Sequence, residues 1–368
     1  MPTAKKAAPA QKPKTKNAVK VITPPAVKKV VKAKSATPSK SLAKTHKAKA
    51  QVVRRKAVEG KADRPKVIKL VPVELPKLRL FQIYYRPEQL AALDPDFEPY
   101  NNGYDKSPLL EYNVFGKLAK SSKVIGAELW GALSWKFQEK TGLSGADLRK
   151  VIAANPGHDV YYCNPHPEFE ALYHNLWLQG ETAHPNFLVL CREFFEVASI
   201  PLEHLTAFVP SSQFASANYF VASPRFWADY TRFVDQAISK AEAGMSKTAK
   251  AMIYSAAADR KGMHAGASYL PFIVERLFAV FLANNLTKYS SLKYALPMVD
   301  EKLNVHLKLL KQMKDVSINN KSLWMSSCWV NYRNLYMSNA YGAEWCRKYL
   351  KGITPMDFKY IGQESQAI

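Results

Sequence analysis

The sequence lacks the features that identify several common classes of protein. Its four cysteines, at positions 163, 191, 328 and 346, form no C-x-x-C pair and no short regular spacing. This pattern argues against a zinc ribbon or a disulfide framework and suits a reducing compartment. No apolar h-region follows the charged N-terminal residues, and no apolar run approaches the roughly 18 residues that a membrane span needs. We therefore expect a cytoplasmic protein without a signal peptide or a transmembrane segment.

The standard catalytic motifs are also missing. There is no G-x-G-x-x-G, no Walker loop, no G-x-S-x-G and no H-E-x-x-H, so dinucleotide enzymes, P-loop phosphotransferases, common serine hydrolases and zincins are not favoured. Five of the eight histidines fall between His158 and His204, but their spacing matches no set of ligands on one helix face. The pattern favours turn and surface histidines over a metal site.

Residues 1–77 form a lysine-rich tail with no aromatic residue before Phe81. Residues 1–70 contain 21 Lys and Arg against two acids, Glu59 and Asp63, a net charge of +19. Such a segment buries too little apolar surface to offset its ordering entropy, so we predict disorder. Its Lys-Ala and Pro-Lys units resemble linker-histone tails. Two interpretations remain open, a solubilising spacer and nonspecific binding of DNA, RNA or another polyanion.

The remaining chain alternates predicted strands and helices and is electrically ordinary. Residues 71–287 carry 20 basic and 22 acidic side chains, and residues 288–368 carry 12 and 6. Apolar patterning predicts strands over residues 80–85, 124–129, 159–163, 205–209 and 217–222, and helices over 109–120, 144–154, 168–178, 186–198 and 272–284. Ser223 and Pro224 begin a further helix whose apolar stripe places Trp227 in the core. This order predicts an α/β fold, a mixed sheet flanked by helices, followed by a mostly helical C-terminal region.

The segment Asp94-Pro95-Asp96 has the D-x-D form with which sugar-nucleotide enzymes hold a divalent cation on a diphosphate. Two hard carboxylates one residue apart can share one Mg²⁺ or Mn²⁺. The segment lies in a Pro-rich loop and not at the end of an apolar strand, where that motif normally sits. A turn-forming role for both aspartates is therefore the favoured alternative.

Four segments resemble glycosyltransferases and glycosyltransferase-like proteins of bacterial surface-polysaccharide synthesis. The segment from Asn218 to Trp227 resembles their strand followed by an N-capped helix with Phe-Trp. Residues 80–85 resemble their first strand, residues 125–130 and 134–137 their second, and residues 271–278 their late helix with Glu-Arg-Leu-Phe. The resemblance covers residues 78–285 and implies a GT-A-like, Rossmann-like fold that binds a nucleotide-sugar, followed by a helical extension over residues 286–368.

The resemblance also implies roles for particular residues. An acceptor hydroxyl would attack the anomeric carbon of the sugar while the diphosphate leaves, which requires a carboxylate for the proton and positive charge for the leaving group. The candidate residues are Asp159 and Glu275 as catalytic groups, Asn218 and Arg276 as binding groups, and Asp94 and Asp96 as ligands of Mn²⁺ or Mg²⁺. For Glu275 and Arg276, a buried ion pair that orders the core is an equal alternative.

The function predicted from the sequence is therefore that of a glycosyltransferase-like protein of surface-polysaccharide synthesis, with a nucleotide-sugar and a glycan acceptor as partners. The alternative is a polyanion- or nucleic-acid-associated protein. In that case the basic tail binds without sequence preference, and the folded region is a non-catalytic binding module.

Overall fold

The computed structural model describes residues 76–184, 186–255, 268–342, 344, 345 and 347. The predictions made for the tail at 1–77 fall almost entirely outside these residues. The described part contains six strands: β1 Leu78–Tyr84, β2 Glu98–Asn101, β3 Leu129–Ser134, β4 Val160–Tyr162, β5 Phe220–Ala222 and β6 Ser291–Lys293. Its helices up to β4 are α1 Pro87–Leu90, α2 Glu111–Ala119, α3 Phe137–Thr141 and α4 Gly145–Ala154, with a 3₁₀ turn at Ser122–Val124.

Ten further helices follow β4 in the described residues. Between β4 and β5 lie α5 Pro167–Leu172, α6 Leu176–Ala183, α7 Phe187–Ala198 and α8 Glu203–Thr206, with a 3₁₀ turn at Ser211–Gln213. Between β5 and β6 lie α9 Pro224–Gly244, α10 Lys247–Tyr254 and α11 Leu270–Asn284. After β6 come α12 Pro297–Asp300, α13 Val305–Asn319 and α14 Leu323–Tyr341. The predicted α/β class and helical C-terminal region are confirmed.

The six strands form one mixed sheet in the order β2-β1-β3-β5-β4-β6. Neighbouring strands are parallel except around β5, which runs antiparallel to both β3 and β4. Strand β6 pairs with β4, so the sheet continues beyond residue 285 into the region predicted to be a helical extension. The reversal of β5 places its first residues at the same edge of the sheet as the last residues of β1 and β3.

Both faces of the sheet are covered, and alternate residues of each strand face opposite layers. Phe81, Trp130, Tyr162 and Phe220 pack with the layer of α2, α7, α9 and α11. Their neighbours Leu80, Leu129, Tyr161 and Val221 pack instead with α3 and α4. This alternation follows from the two-residue period of a strand, and it explains why β1 and β3 are apolar along nearly their whole length. A third cluster holds α13 and α14 against α5 and α6.

Helix α9 begins as the sequence predicts. The Ser223 hydroxyl accepts from the backbone N–H of Phe226, and Pro224 occupies the first turn. Trp227 is buried, as predicted, and its ring stacks on that of Trp130 at 4.1 Å between centroids. Its indole N–H also donates to the Trp130 carbonyl oxygen at 2.9 Å. One side chain therefore fixes the helix after β5 onto the start of β3.

Two predicted strands are wrong, and a predicted helix is divided. Residues 124–129 form a turn that exposes Ile125, and the strand begins only at Leu129. Residues 205–209 include part of α8 instead of a strand, and the helix predicted at 168–178 is interrupted before α6. Asn175 accounts for both departures. Its side-chain oxygen caps α6 at the N–H groups of Trp177 and Leu178, while its amide donates to the carbonyls of Leu205 and Ala207.

Among the described residues, no helix is both long enough and apolar enough to cross a membrane. The longest, α9, has a polar outer face, and α11, the most apolar of the long helices, has 15 residues.

We expect Trp227→Ala to lower the free energy of unfolding by about 3–5 kcal/mol, because the cavity left beside Trp130 cannot close without moving β3. The measurement is urea unfolding followed by circular dichroism. Val189→Ala, at an exposed position of α7, is the control and should change stability by about 0.5 kcal/mol or less. A Trp227→Ala protein as stable as the control would show that this contact does not hold the fold.

Candidate active site

A cavity of about 270 Å³ lies at the edge where β1 and β3 end and β5 begins. Tyr85 follows β1, Ser134 and Trp135 end β3, and Asn218 and Tyr219 precede β5. Helices α2 and α11 close the remaining sides with Glu111 and Glu275, and Arg86 and Lys140 complete the polar lining. Open α/β sheets bind ligands outside the carboxyl ends of their strands, which makes this cavity the leading candidate for a functional site.

Two carboxylates face this cavity, and Asn218 connects them. The Asn218 amide donates to Oε2 of Glu111 at 3.3 Å, and its backbone N–H lies close enough to the Glu275 carboxylate to lower the pKa of that group slightly. Glu111 is the first residue of α2, whereas Glu275 lies in the second turn of α11. The predicted residues Asn218 and Glu275 are therefore brought together, with Glu111 as a third member.

Burial raises the pKa of Glu275 to about 7. The Arg276 and Lys140 charges oppose this shift, and the Glu111 carboxylate adds to it. Burial also raises the pKa of Glu111, against the Asn218 hydrogen bond and the Lys140 charge. Both side chains keep part of their surface accessible, and that surface faces the cavity, so each carboxylate is surrounded by protein yet open to a small ligand. A carboxyl group that titrates near neutral pH suits proton transfer.

Aromatic rings and unsatisfied donors form the rest of the wall. Tyr85, Trp135, Tyr219 and Phe272 line the cavity, and the Lys140 ammonium lies 5.9 Å from the Tyr219 ring centroid. Among the described residues, neither the buried indole N–H of Trp135 nor the buried hydroxyl of Tyr219 makes a hydrogen bond of normal geometry, although Ser134 lies near the hydroxyl. A buried donor without a hydrogen bond destabilises the folded protein unless a ligand or a water molecule accepts from it. The cavity thus offers acceptors, donors and flat apolar faces together.

Asp159 lies at the opposite edge of the sheet, immediately before β4. Its carboxylate accepts from the Ser223 hydroxyl at 3.3 Å and from the backbone N–H of Ser290 at 3.0 Å. Its carbonyl accepts from the Ser223 N–H at 2.8 Å. These contacts join the ends of β4, β5 and β6, so the structure gives this candidate a role in the sheet and separates it from the cavity.

Arg276 points away from the cavity, although it adjoins Glu275 in the chain. Its guanidinium donates to the carbonyls of Leu176 at 3.0 Å and Phe272 at 2.8 Å, and to Oε1 of Gln179 at 2.6 Å. It also lies 5.1 Å from the Phe187 ring centroid. Arg276 thus joins α6 and α7 to α11, and its charge lowers the pKa of Glu275 in the cavity.

The Asp94 carboxylate is occupied by backbone donors. One oxygen accepts from the N–H of Asp96 at 2.9 Å, and the other accepts from the N–H of Gly145 at 2.8 Å. A Cβ at Gly145 would lie 2.7 Å from that of Asp96, which explains a glycine at this close approach. Asp96 is exposed on the loop. This bonding matches the turn interpretation. Each Asp94 oxygen already accepts from a backbone N–H, so a bound Mn²⁺ or Mg²⁺ would have to compete with these hydrogen bonds.

The described residues contain no group of three or more His, Cys, Asp or Glu side chains that could hold a metal ion. One histidine departs from its predicted surface position. His174 is buried, with its Nδ1 3.2 Å from a guanidinium nitrogen of Arg333, and its ring meets that of Trp329 edge-on. Both partners come from α14, and Arg333 is 159 residues further along the chain, so local spacing could not indicate this contact.

A second cavity, of about 240 Å³, lies beyond the ends of β4 and β6. Glu170 is buried in its wall, where it forms ion pairs with Lys293 and Lys311 and accepts from the Asn164 amide at 2.7 Å. Burial alone would raise the pKa of Glu170, but the two lysines outweigh burial and lower it. The charges here satisfy one another, which favours a structural role over ligand binding.

The sequence alone did not indicate Glu111, Lys140 or Arg86. Glu111 falls in the first turn of a predicted helix, where an acid is ordinary because it complements the helix dipole. No protein-family model matches the chain, and neither the curated proteins nor the solved structures compared with it give a match. The candidate site therefore rests on its own geometry.

We expect the stability of the wild type to fall as pH rises from about 5 to 8. The pKa of Glu275 is higher in the folded protein than in the unfolded chain, so its protonated form stabilises the fold fully below the unfolded pKa. This stabilisation is lost as pH rises through the folded-state pKa of about 7. Over this pH range, the free energy of unfolding of Glu275→Gln should fall less than that of the wild type, by on the order of 3 kcal/mol. The measurement is urea unfolding at several pH values.

Glu196→Gln, an exposed change on α7, is the matched control and should leave the pH dependence unaltered. Burial also raises the pKa of Glu111, so part of the pH dependence of stability will remain in Glu275→Gln. Identical pH profiles for Glu275→Gln and the wild type would contradict the assignment.

The two loop aspartates should respond differently to conversion to asparagine. In Asp94→Asn, an NH₂ group replaces one of the two oxygens that accept from the N–H groups of Gly145 and Asp96. Two donors then face each other, and the free energy of unfolding should fall by about 1–3 kcal/mol. Asp96→Asn should change stability by about 0.5 kcal/mol or less and should leave nucleotide-sugar binding unchanged with or without Mn²⁺. Calorimetric titration tests the second expectation. Mn²⁺-dependent binding that Asp96→Asn abolishes would instead identify the loop as a metal site.

Proposed function

We propose that the folded region is a glycosyltransferase-like protein of surface-polysaccharide synthesis, and that the cavity beside Glu275 binds a nucleotide-sugar. The supporting observation is that Glu111, Asn218 and Glu275 meet in one aromatic cavity at the carboxyl edge of the sheet. Sugar hydroxyls both donate and accept hydrogen bonds, and carboxylates, an amide, an indole N–H and a phenol provide matching partners. The flat rings of Trp135 and Phe272 supply apolar surface.

Glu275 is the proposed base. In the transfer, the acceptor oxygen forms a bond to the anomeric carbon, the bond from that carbon to the diphosphate oxygen breaks, and the acceptor proton passes to the Glu275 carboxylate. A base with a pKa of about 7 is ionised in part at neutral pH and gains a strong driving force for proton uptake. Asn218 holds Glu275 through its backbone and Glu111 through its side chain, which fixes both carboxylates relative to the sugar.

The leaving diphosphate needs positive charge, and two cations line the cavity. Lys140 lies close enough to act electrostatically on both glutamates, and Arg86 stands at the start of α1 on the cavity rim. Because both oxygens of Asp94 accept from backbone N–H groups, these two side chains, and not a cation held by Asp94 and Asp96, are the proposed partners of the phosphate oxygens. The GT-A-like resemblance of residues 78–285 is part of this proposal, and the observed mixed α/β sheet is compatible with it.

A second candidate concerns the tail. Its net charge of +19 over residues 1–70 favours nonspecific binding of a polyanion, whereas residues 71–287 are nearly neutral and would contribute little. Deletion of residues 1–77 separates the two functions, since nucleotide-sugar binding should survive it and salt-sensitive DNA or RNA binding should not.

The proposed function is tested by thermal unfolding and calorimetry with a panel of uridine, guanosine and thymidine diphosphate sugars. At about a hundred times its Kd, a ligand that binds only the folded state should add roughly 2.7 kcal/mol of stability. Glu275→Gln should retain binding but lower any transfer rate by about 10²–10⁴-fold, because it removes the base and keeps the shape.

Glu196→Gln serves as the control and should match the wild type in both binding and transfer. If no nucleotide-sugar stabilises the wild type, the proposal is wrong. Binding without any transfer, with Glu275→Gln indistinguishable from the wild type, would assign the fold a binding role only.

A further inference from the structure

The buried carboxylates of this protein are balanced in two different ways. Glu170, in the second cavity, forms ion pairs with Lys293 and, at 2.8 Å, with Lys311, and these lysines lower its pKa despite burial. Among the described residues, no basic side chain forms an ion pair with Glu111 or Glu275. The same fold therefore neutralises one buried carboxylate and leaves two others without an opposite charge in contact.

The cations around the first cavity do not make good this difference. Lys140 acts on both glutamates through its charge, but it forms an ion pair with neither. Arg86 is exposed on the rim, and Arg276 donates to acceptors on α6 and α11. In the proposed function, the diphosphate occupies Lys140 and Arg86. The two carboxylates then face the sugar with only the neutral donors of Asn218 between them.

We infer that the sugar bound in this cavity carries a protonated amino group, which Glu111 and Glu275 hold between them. The inference rests on the proposed function for the sugar and adds its charge. An ammonium has three N–H donors, so one group can donate to both carboxylates, and such charge-assisted hydrogen bonds are roughly twice as strong as neutral ones. A hydroxyl brings no charge, and an acetamido N–H is neutral and donates only once.

The rest of the cavity wall suits an ammonium on a sugar ring. A cation within about 6 Å of a ring centroid is attracted to the ring face, and Tyr85, Trp135 and Tyr219 all line the cavity. Tyr219 is 2% exposed, and its buried hydroxyl makes no hydrogen bond of normal geometry among the described residues, so the wall also holds an unsatisfied polar group. The volume of about 270 Å³ equals that of roughly nine water molecules, which is room for one sugar ring.

A bound ammonium would replace the proton that Glu275 keeps near neutral pH. The charged and titratable groups that interact with Glu275 are Glu111 of α2, Lys140 of α3, Arg276 of α11, Tyr219 before β5 and Tyr230 of α9. Burial raises the pKa values of both tyrosines, which therefore stay neutral. At pH 6, Glu275 is protonated in most molecules, whereas an amine with the pKa of about 8 that is typical of an α-amino group is charged. Binding should therefore release close to one proton.

The test is calorimetric titration of the full chain with the uridine diphosphate derivatives of glucosamine, glucose and N-acetylglucosamine, which differ at one position of the sugar. The wild type should bind the glucosamine derivative at least about tenfold more tightly than the other two. Glu111→Gln and Glu275→Gln keep the shape of the site and should each reduce this preference to about threefold or less. The exposed control Glu196→Gln should retain it. Attraction to the basic tail would favour the two more anionic derivatives and cannot produce this order.

Proton release gives an independent readout. Titrations at pH 6 in two buffers of different ionisation enthalpy measure the protons released for each ligand bound. The wild type should release close to one proton with the glucosamine derivative, and Glu275→Gln should release about half as much or less. Circular dichroism confirms that each variant is folded.

The outcomes separate this inference from the proposed function. Equal affinities for the three derivatives would overturn the inference and leave nucleotide-sugar binding in place. Binding of the glucose derivative that requires Mg²⁺ or Mn²⁺, and that Glu111→Gln abolishes, would also overturn it, because a metal ion would then supply the positive charge. If free glucosamine binds with proton release that depends on Glu275, but the uridine diphosphate adds no affinity, the inference holds and the proposed nucleotide-sugar is wrong. If neither binds, both are wrong.

Discussion

The contact between Trp130 and Trp227 is the constraint on which the rest of the structure depends. It joins the start of β3 to the first turn of α9 by ring stacking and by a hydrogen bond from the indole to a backbone carbonyl. Since α9 follows β5 after one residue, this contact also holds β5 against β3 in the reversed direction. The reversal carries Asn218 to the edge where β1 and β3 end. With β5 parallel to its neighbours, Asn218 would lie at the other edge, and the two glutamates would have no common partner.

The parts of the fold that were predicted correctly are those set by neighbouring residues. The helix starts predicted at Ser144 and at Ser223-Pro224 are both present and depend on local hydrogen bonds, in which the Ser144 hydroxyl accepts from the N–H of Asp147 and the Ser223 hydroxyl from that of Phe226. Two of the errors, at residues 168–178 and 205–209, come from Asn175, whose side chain satisfies backbone groups about thirty residues away. A segment such as 205–209, with strand-like composition, needs no strand partner when an amide side chain bonds its carbonyls. Side chains that replace backbone pairing in this way leave no periodic signal.

The same distinction applies to the candidate site. Asn218, Glu275 and Arg276 come from the segments that resemble glycosyltransferases, whereas Asp159, Asp94 and Asp96 were candidates on residue type and short spacing. Asn218 and Glu275 line the cavity, but Arg276, Asp159 and Asp94 form structural hydrogen bonds and Asp96 is exposed on its loop. Glu111 meets Asn218 across 107 residues, and an acid at the start of a helix is unremarkable on its own. Chemistry at a sheet edge depends on which strands end there, and that depends on strand order, which the sequence did not provide.

The two cavity glutamates also link the stability of the fold to occupancy of the site. Each carboxylate is costly when ionised because it is desolvated, and each raises the cost of the other. Asn218 and Lys140 offset part of this cost without removing it. A residue pair selected only for stability would replace one glutamate by an apolar group that fills the space, whereas this pair leaves the space open with unsatisfied donors beside it. A ligand that donates hydrogen bonds to the carboxylates and accepts them from Trp135 and Tyr219 would relieve both penalties at once. The cavity without a ligand destabilises the fold, and a bound ligand would recover this free energy as affinity. This arrangement is expected of a site that must hold a polar ligand tightly and position a base against it.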